Sequence, residues 1–162
     1  MFAVGELILY GRTGVCRVEE IRETGGTAYY VLQPLYQTCS VTVPAASPKV
    51  FLRPLLSAAQ VRGLLADFST LEAEPYYNRN LNQLRAHYAA CMDNRDSLEL
   101  LRFAKSLRLK QRETAAQKKK FGSVDERYLR EVEALLFGEF AAALGITRAE
   151  VENHIANCMA EA

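Results

Sequence analysis

The amino-acid sequence predicts an α+β protein, a small five-stranded β-barrel followed by an all-α domain of about four to five helices. Two observations carry this prediction. Residues 1–56 consist of short alternating or apolar runs separated by glycine and proline, the pattern of a small β-domain. From Ser57 onward the apolar residues recur at intervals of three and four, the period of helices that bury one face. With 49% hydrophobic and 24% charged residues, the 162-residue chain has the composition of a globular protein, which excludes wholesale disorder.

The β-region reads in order. Leu7-Ile8-Leu9-Tyr10 is a strand closed by the turn Gly11-Arg12-Thr13-Gly14, and Val15 to Ile21 alternates apolar and polar as a half-buried strand does. Gly25-Gly26 turns the chain into Tyr29-Tyr30-Val31-Leu32-Gln33. Ser40-Val41-Thr42-Val43 alternates before Pro44, and Val50 to Arg53 ends at Pro54. Five strands of this length make an SH3-like or Tudor-like barrel, too small to enclose a ligand.

The helical region opens at Ser57, which forms a capping box with Gln60 ahead of Val61, Leu64, Leu65 and Phe68. Residues 68–75 are a linker. A second helix is expected over 76–92, with Tyr77, Leu81, Leu84, Tyr88 and Cys91 in one row, and a third over 97–117 with Leu101, Ala104 and Leu107. Ser123 and Glu126 suggest a capping box for a fourth helix ending at Gly145, and Thr147 with Glu150 opens a fifth. The expected divisions are a β-domain at 1–56, a connecting helix and linker at 57–74, and a helical domain at 75–162.

The sequence carries no catalytic signature. No phosphate-loop, dinucleotide, zinc-helix or nucleophile-elbow motif occurs. Gly11 to Gly14 precedes a strand and so lacks the helix N-terminus that holds phosphate. His87 and His154 have no nucleophile at a motif spacing, and Asp93 and Asp96 flank a helix junction where caps favour Asp. Cys16, Cys39, Cys91 and Cys158 form no short-spaced pair, so buried reduced thiols are expected rather than a metal centre. No enzyme activity, cofactor or metal is anticipated. The start lacks a basic region and a long apolar run, and no run reaches the roughly 18–20 apolar residues of a membrane span, so a cytoplasmic protein without membrane contact is expected. The charge is uneven. Residues 102–120 carry eight basic side chains against the single acid Glu113, whereas residues 125–162 carry eight acids against three arginines. Such asymmetry points to a localised anionic partner.

The run Phe2-Ala3-Val4-Gly5-Glu6-Leu7-Ile8-Leu9-Tyr10-Gly11-Arg12-Thr13-Gly14-Val15-Cys16-Arg17-Val18-Glu19-Glu20-Ile21 resembles the opening of the bacterial CarD/CdnL/TRCF family. Tyr29 to Leu32, Val41 to Pro44 and Leu52 to Leu55 continue the resemblance in order. Asp125 to Leu129, Glu133 to Phe140 and Leu144 to Ile146 resemble the closing helices of its CdnL-like members. The resemblance implies a Tudor-like domain that adds a strand to the β subunit of RNA polymerase, and a helical domain that touches promoter DNA at the upstream edge of the bubble. It implies a transcription regulator acting as a monomer, held at the nucleoid through polymerase, with Ser40, Val41, Thr42 and Val43 as the polymerase-binding edge. Thr42 stands where relatives carry an arginine. The family also places a tryptophan wedge at the start of its first C-terminal helix; this chain has no tryptophan, and Tyr77 occupies that position beside Tyr76. Tyr77 either stacks on an exposed base or heads the core row. Arg79 would flank the wedge, and Arg102, Lys105, Arg108, Lys118, Lys119 and Lys120 would grip phosphates or else form a solvated face. The alternative function is an adaptor that binds polymerase or another protein and has lost DNA contact. A reader of modified peptides would need an aromatic cage, for which Tyr29, Tyr30 and Tyr36 are the candidates; adjacent Tyr29 and Tyr30 point to opposite strand faces, which disfavours it.

Overall fold

The structure is a computed structural model that describes residues 2–46, 50–94 and 96–161. Its chain order is β1 (Leu7–Tyr10), β2 (Gly14–Thr24), β3 (Thr27–Pro34), β4 (Val41–Pro44), β5 (Leu52–Pro54), then α1 (Ala58–Asp67), α2 (Leu81–Met92), α3 (Ser97–Ala116), α4 (Ser123–Leu144) and α5 (Arg148–Glu161). No helix among the described residues is long and apolar enough to cross a membrane. The chain divides into two compact units, Met1–Val61 with Gly138–Val151 and Arg62–Phe137 with Glu152–Ala162.

In the first unit, five antiparallel strands run in the order β4-β3-β2-β1-β5. Alternation puts Ile8, Cys16, Val18, Tyr30, Leu32 and Val43 on one buried face, with Phe2, Val41 and Leu52 packed against them. Between Val18 and Glu20 the β2–β3 register shifts, a bulge of the kind that helps a short sheet coil. The segment 138–151 completes the unit. Glu139, 2% exposed, accepts from Arg53 Nη1 at 2.6 Å and Nη2 at 2.7 Å, and from the Leu56 N–H at 3.0 Å. Tyr36 donates its hydroxyl to the Gly138 carbonyl at 3.0 Å, its ring so close that a Cβ on Gly138 would stand 3.0 Å away. Gly145 takes a φ of 70°, and the Ile146 N–H reaches the Ala141 carbonyl, a Schellman closure of α4. Both expected capping boxes at the neighbouring helix starts form reciprocally, Ser57 with Gln60 and Thr147 with Glu150.

The second unit is helical, its core built from Phe68, Leu84, Tyr88, Leu101, Leu107 and Leu136 among others. Two helix starts differ from expectation. The helix expected from 76 begins at Leu81, because Asn80 takes the cap and accepts from the Asn82 and Gln83 amides, while the Asn78 side chain accepts from the Asn80 N–H and turns the chain just ahead of the cap. The fourth helix already includes Ser123, and Glu126 donates its N–H to the Gly122 carbonyl while its carboxylate takes Arg130. Asp125 occupies the first turn, its Oδ2 so near Gly122 that a Cβ there would stand 2.7 Å away.

Candidate functional site

The sheet has two margins, and they differ. On β5, Arg53 is tied to Glu139. On β4, the described residues supply a partner strand on one side alone, β3, with Val43 opposite Tyr30 and Thr42 opposite Val31. The Ala45 N–H bonds the Ala28 carbonyl, which makes Ala45–Ala28 a hydrogen-bonded pair. Because antiparallel pairs alternate, Val43 and Val41 also point their amides at β3, and those of Thr42 and Pro44 point outward. Pro44 has no N–H, so its outward position costs the ladder nothing, and Thr42 supplies the outward N–H of the strand. Ser40 lies one residue before the strand and is exposed; Val41 and Val43 bury their side chains inward, and Thr42 is exposed. The margin is short and polar on its open side, which is how native edge strands avoid indiscriminate pairing.

Tyr29, Tyr30 and Tyr36 do not form a cage. Tyr30 is buried with its hydroxyl accepting from the Phe2 N–H, and the Tyr36 ring lies 4.1 Å from the Arg148 guanidinium.

In the helical unit, the adjacent Tyr76 and Tyr77 have different surroundings. Tyr76 is half-buried, stacked on His87 with ring centroids 3.7 Å apart and its hydroxyl accepting from Asn78. Tyr77 is 55% exposed and lies outside the helix, so it heads no core row; Leu81, in the first turn of α2, is also 53% exposed. The Tyr77 hydroxyl donates to the Glu113 carboxylate, and the Lys110 ammonium sits 4.8 Å from its ring centroid. The hydrogen bond to a carboxylate holds the phenol proton and pushes its pKa up to about 12. Lys110, 5% exposed, is fixed by Asp125 at 2.9 Å and the Tyr88 hydroxyl at 3.3 Å, and Tyr88 donates to the same Asp125 oxygen at 2.5 Å.

The expected phosphate row does not face outward together. Successive steps of three residues turn about 300° around a helix, so Arg102, Lys105 and Arg108 drift across its surface instead of stacking in a line. Lys105 is 5% exposed and spends its three protons on the carbonyls of Phe68 (2.7 Å), Ser69 (3.1 Å) and Leu71 (2.7 Å). An ammonium so engaged has no proton for a phosphate. Burial pulls its pKa below the ordinary lysine value. Arg108 grips Glu133 with two nitrogens, and Arg112 donates to the Met159 carbonyl. Arg102 is half-exposed, with one nitrogen on the Glu72 carbonyl and another near Glu99. Arg79, Lys118, Lys119 and Lys120 are exposed. Lys118 adopts a φ of 57° just past the end of α3, and the Lys119 N–H returns to the Thr114 carbonyl, so the lysine cluster is a Schellman turn with lysine where glycine is usual.

The partners Lys110 and Glu113 were invisible to local reading because they stand far along the chain from Tyr77. The one signal was composition, Glu113 being the single acid in the basic run. The expectation of four buried thiols holds for Cys16 and fails for Cys39, which lies exposed in the β3–β4 loop, while Cys91 and Cys158 are half-buried. Burial pushes the Cys16 thiol up to about 11.

Residues 2–56 match the family model described as the CarD-like/TRCF RID domain. No curated protein matches the chain.

Proposed function

We propose, from the premise that residues 2–56 carry the RNA polymerase-interacting module of the CarD/CdnL/TRCF family, that this chain is a bacterial transcription regulator. It docks β4 against a strand of the polymerase β subunit and rests its helical unit on promoter DNA at the upstream edge of the bubble. The observation that carries this reading is the open margin of β4 with its outward Thr42 amide. Strand addition draws its affinity from backbone hydrogen bonds, so the arginine that relatives carry at this position is dispensable where the amide is free.

On the DNA side, Tyr77 and Leu81 offer exposed apolar surface at the start of α2, suited to stacking on an unpaired base. Arg79, Arg102 and the Lys118–Lys120 turn supply phosphate contacts, without the buried Lys105 and the ion-paired Arg108. Two weak grips then add through effective concentration, which suits a factor delivered to many promoters by polymerase.

Thr42→Pro tests the docking. It removes an N–H that β3 does not use, so the sheet is retained while the outward donor is lost. Binding to the purified β subunit is expected to fall at least about tenfold, the loss of one hydrogen bond plus a steric block, with thermal unfolding unchanged; Thr42→Ala is expected to bind as wild type. Normal binding by a folded Thr42→Pro protein refutes strand addition.

The adaptor reading is favoured by the inward commitment of Lys105, Arg108 and Lys110. Alanine at Lys118, Lys119 and Lys120 together separates the two: a shorter open-complex lifetime supports DNA contact, and an unchanged lifetime supports the adaptor.

A further inference from the structure

Tyr77 is exposed, yet it is not loose. Its hydroxyl is held by Glu113 and its ring lies by the Lys110 ammonium, one turn earlier on α3. Lys110 cannot follow a moving ring, because Asp125 and Tyr88 hold its nitrogen in a buried triangle. An exposed aromatic ordinarily samples several rotamers and loses that freedom on binding. Here the loss is borne in advance by a carboxylate at the ring's tip and a fixed cation at its face.

Electrostatics alone makes Glu113 a puzzle. It is the single acid in a basic run of residues 102–120, and a surface that only gathers phosphate gains from its removal. We infer that Glu113 is a positioning residue that, with Lys110 as platform, holds Tyr77 in the posture that meets an unstacked base. This inference rests on the proposed DNA contact of Tyr77 and goes beyond it by assigning the acid a role.

The two accounts of Glu113 predict opposite signs, and the lifetime of the promoter open complex reads them. The assay uses the full chain, RNA polymerase and a promoter carrying 2-aminopurine at the upstream edge of the bubble. Tyr77→Ala is expected to shorten the lifetime about 5- to 150-fold, the range for loss of one stacked aromatic. Glu113→Ala and Tyr77→Phe are each expected to shorten it about two- to tenfold, the worth of one hydrogen bond, and to weaken quenching of the probe. Glu113→Gln keeps an acceptor and is expected to restore most of the effect. The double variant Tyr77→Phe/Glu113→Ala is expected to be no worse than either single one, because both remove the same bond. A lifetime unchanged or lengthened by Glu113→Ala, while Tyr77→Ala still shortens it, overturns the positioning role and leaves the wedge standing. An additive double variant overturns it too. If Tyr77→Ala has no effect, the wedge itself falls, and the inference with it.

Discussion

Replacing either partner of the Lys110–Asp125 pair should destabilise the helical unit, and unequally. Both side chains are about 7% exposed, and the Tyr88 hydroxyl serves both. Removing one partner of a buried pair leaves the other charged without compensation, at a cost of about 3–5 kcal/mol. The residual environments differ. With Lys110→Met, the Asp125 carboxylate keeps the Tyr88 hydroxyl and sits in the first turn of α4, where the helix dipole favours an anion by up to about 2 kcal/mol in partly buried sites. With Asp125→Ala, the Lys110 ammonium keeps the Tyr88 oxygen and the Tyr77 ring, a contact worth about 0.5–2 kcal/mol. It lies in the body of α3, away from any helix end, and the first-turn carboxylate of α4 is lost as well. Lys110→Met is therefore expected to cost about 1–3 kcal/mol and Asp125→Ala about 3–5. The double variant Lys110→Met/Asp125→Ala should cost less than the two singles added, because the second change removes the orphan the first creates. Urea unfolding at 25 °C, with unchanged denaturant dependence, measures all three. A reversed order, or additive costs, refutes the claim that the two charges depend on each other inside the fold.

Two further outcomes follow from the same structure. The Cys16 thiol ionises at about 11 when folded against an ordinary 9.0, so the folded state holds its proton longer; its contribution is intact below pH 9 and lost as pH rises through 11. Thermal melts from pH 8 to 11 should show wild type losing about 2–3 kcal/mol more than Cys16→Val, and parallel curves would contradict this. Lys118→Gly relieves a left-handed lysine and is expected to stabilise by about 0.5–1 kcal/mol, while lowering DNA affinity in low salt. Unchanged DNA binding would show that the lysine is there for the turn alone.

What the sequence made legible was local. The strands were readable because alternation and the flanking glycines and prolines act over a few residues, and the boxes at Ser57 and Thr147 because their partners stand three residues away. At the second helix the apolar spacing from Tyr77 to Leu81 outweighed Asn80, a residue type strongly preferred at the N-cap. Charge is illegible locally for a different reason. Lys105 and Arg108 look like surface basics in one dimension, but the carbonyls of Phe68, Ser69 and Leu71 and the α4 acid Glu133 draw their charges inward. Glu139 gave no sign that its carboxylate, far along the chain, would finish the β-unit at Arg53 and Leu56. Contacts of that separation are set by packing and leave no spacing to count.

Amide hydrogen exchange along β4, with and without the polymerase β subunit, tests strand addition most directly. The Thr42 amide, outward-facing and fast in the free protein, is expected to become protected in the complex, while the Val41 and Val43 amides, already turned toward β3, change little. Thr42 exchange left unchanged in a complex that protects another surface of the sheet would contradict strand addition.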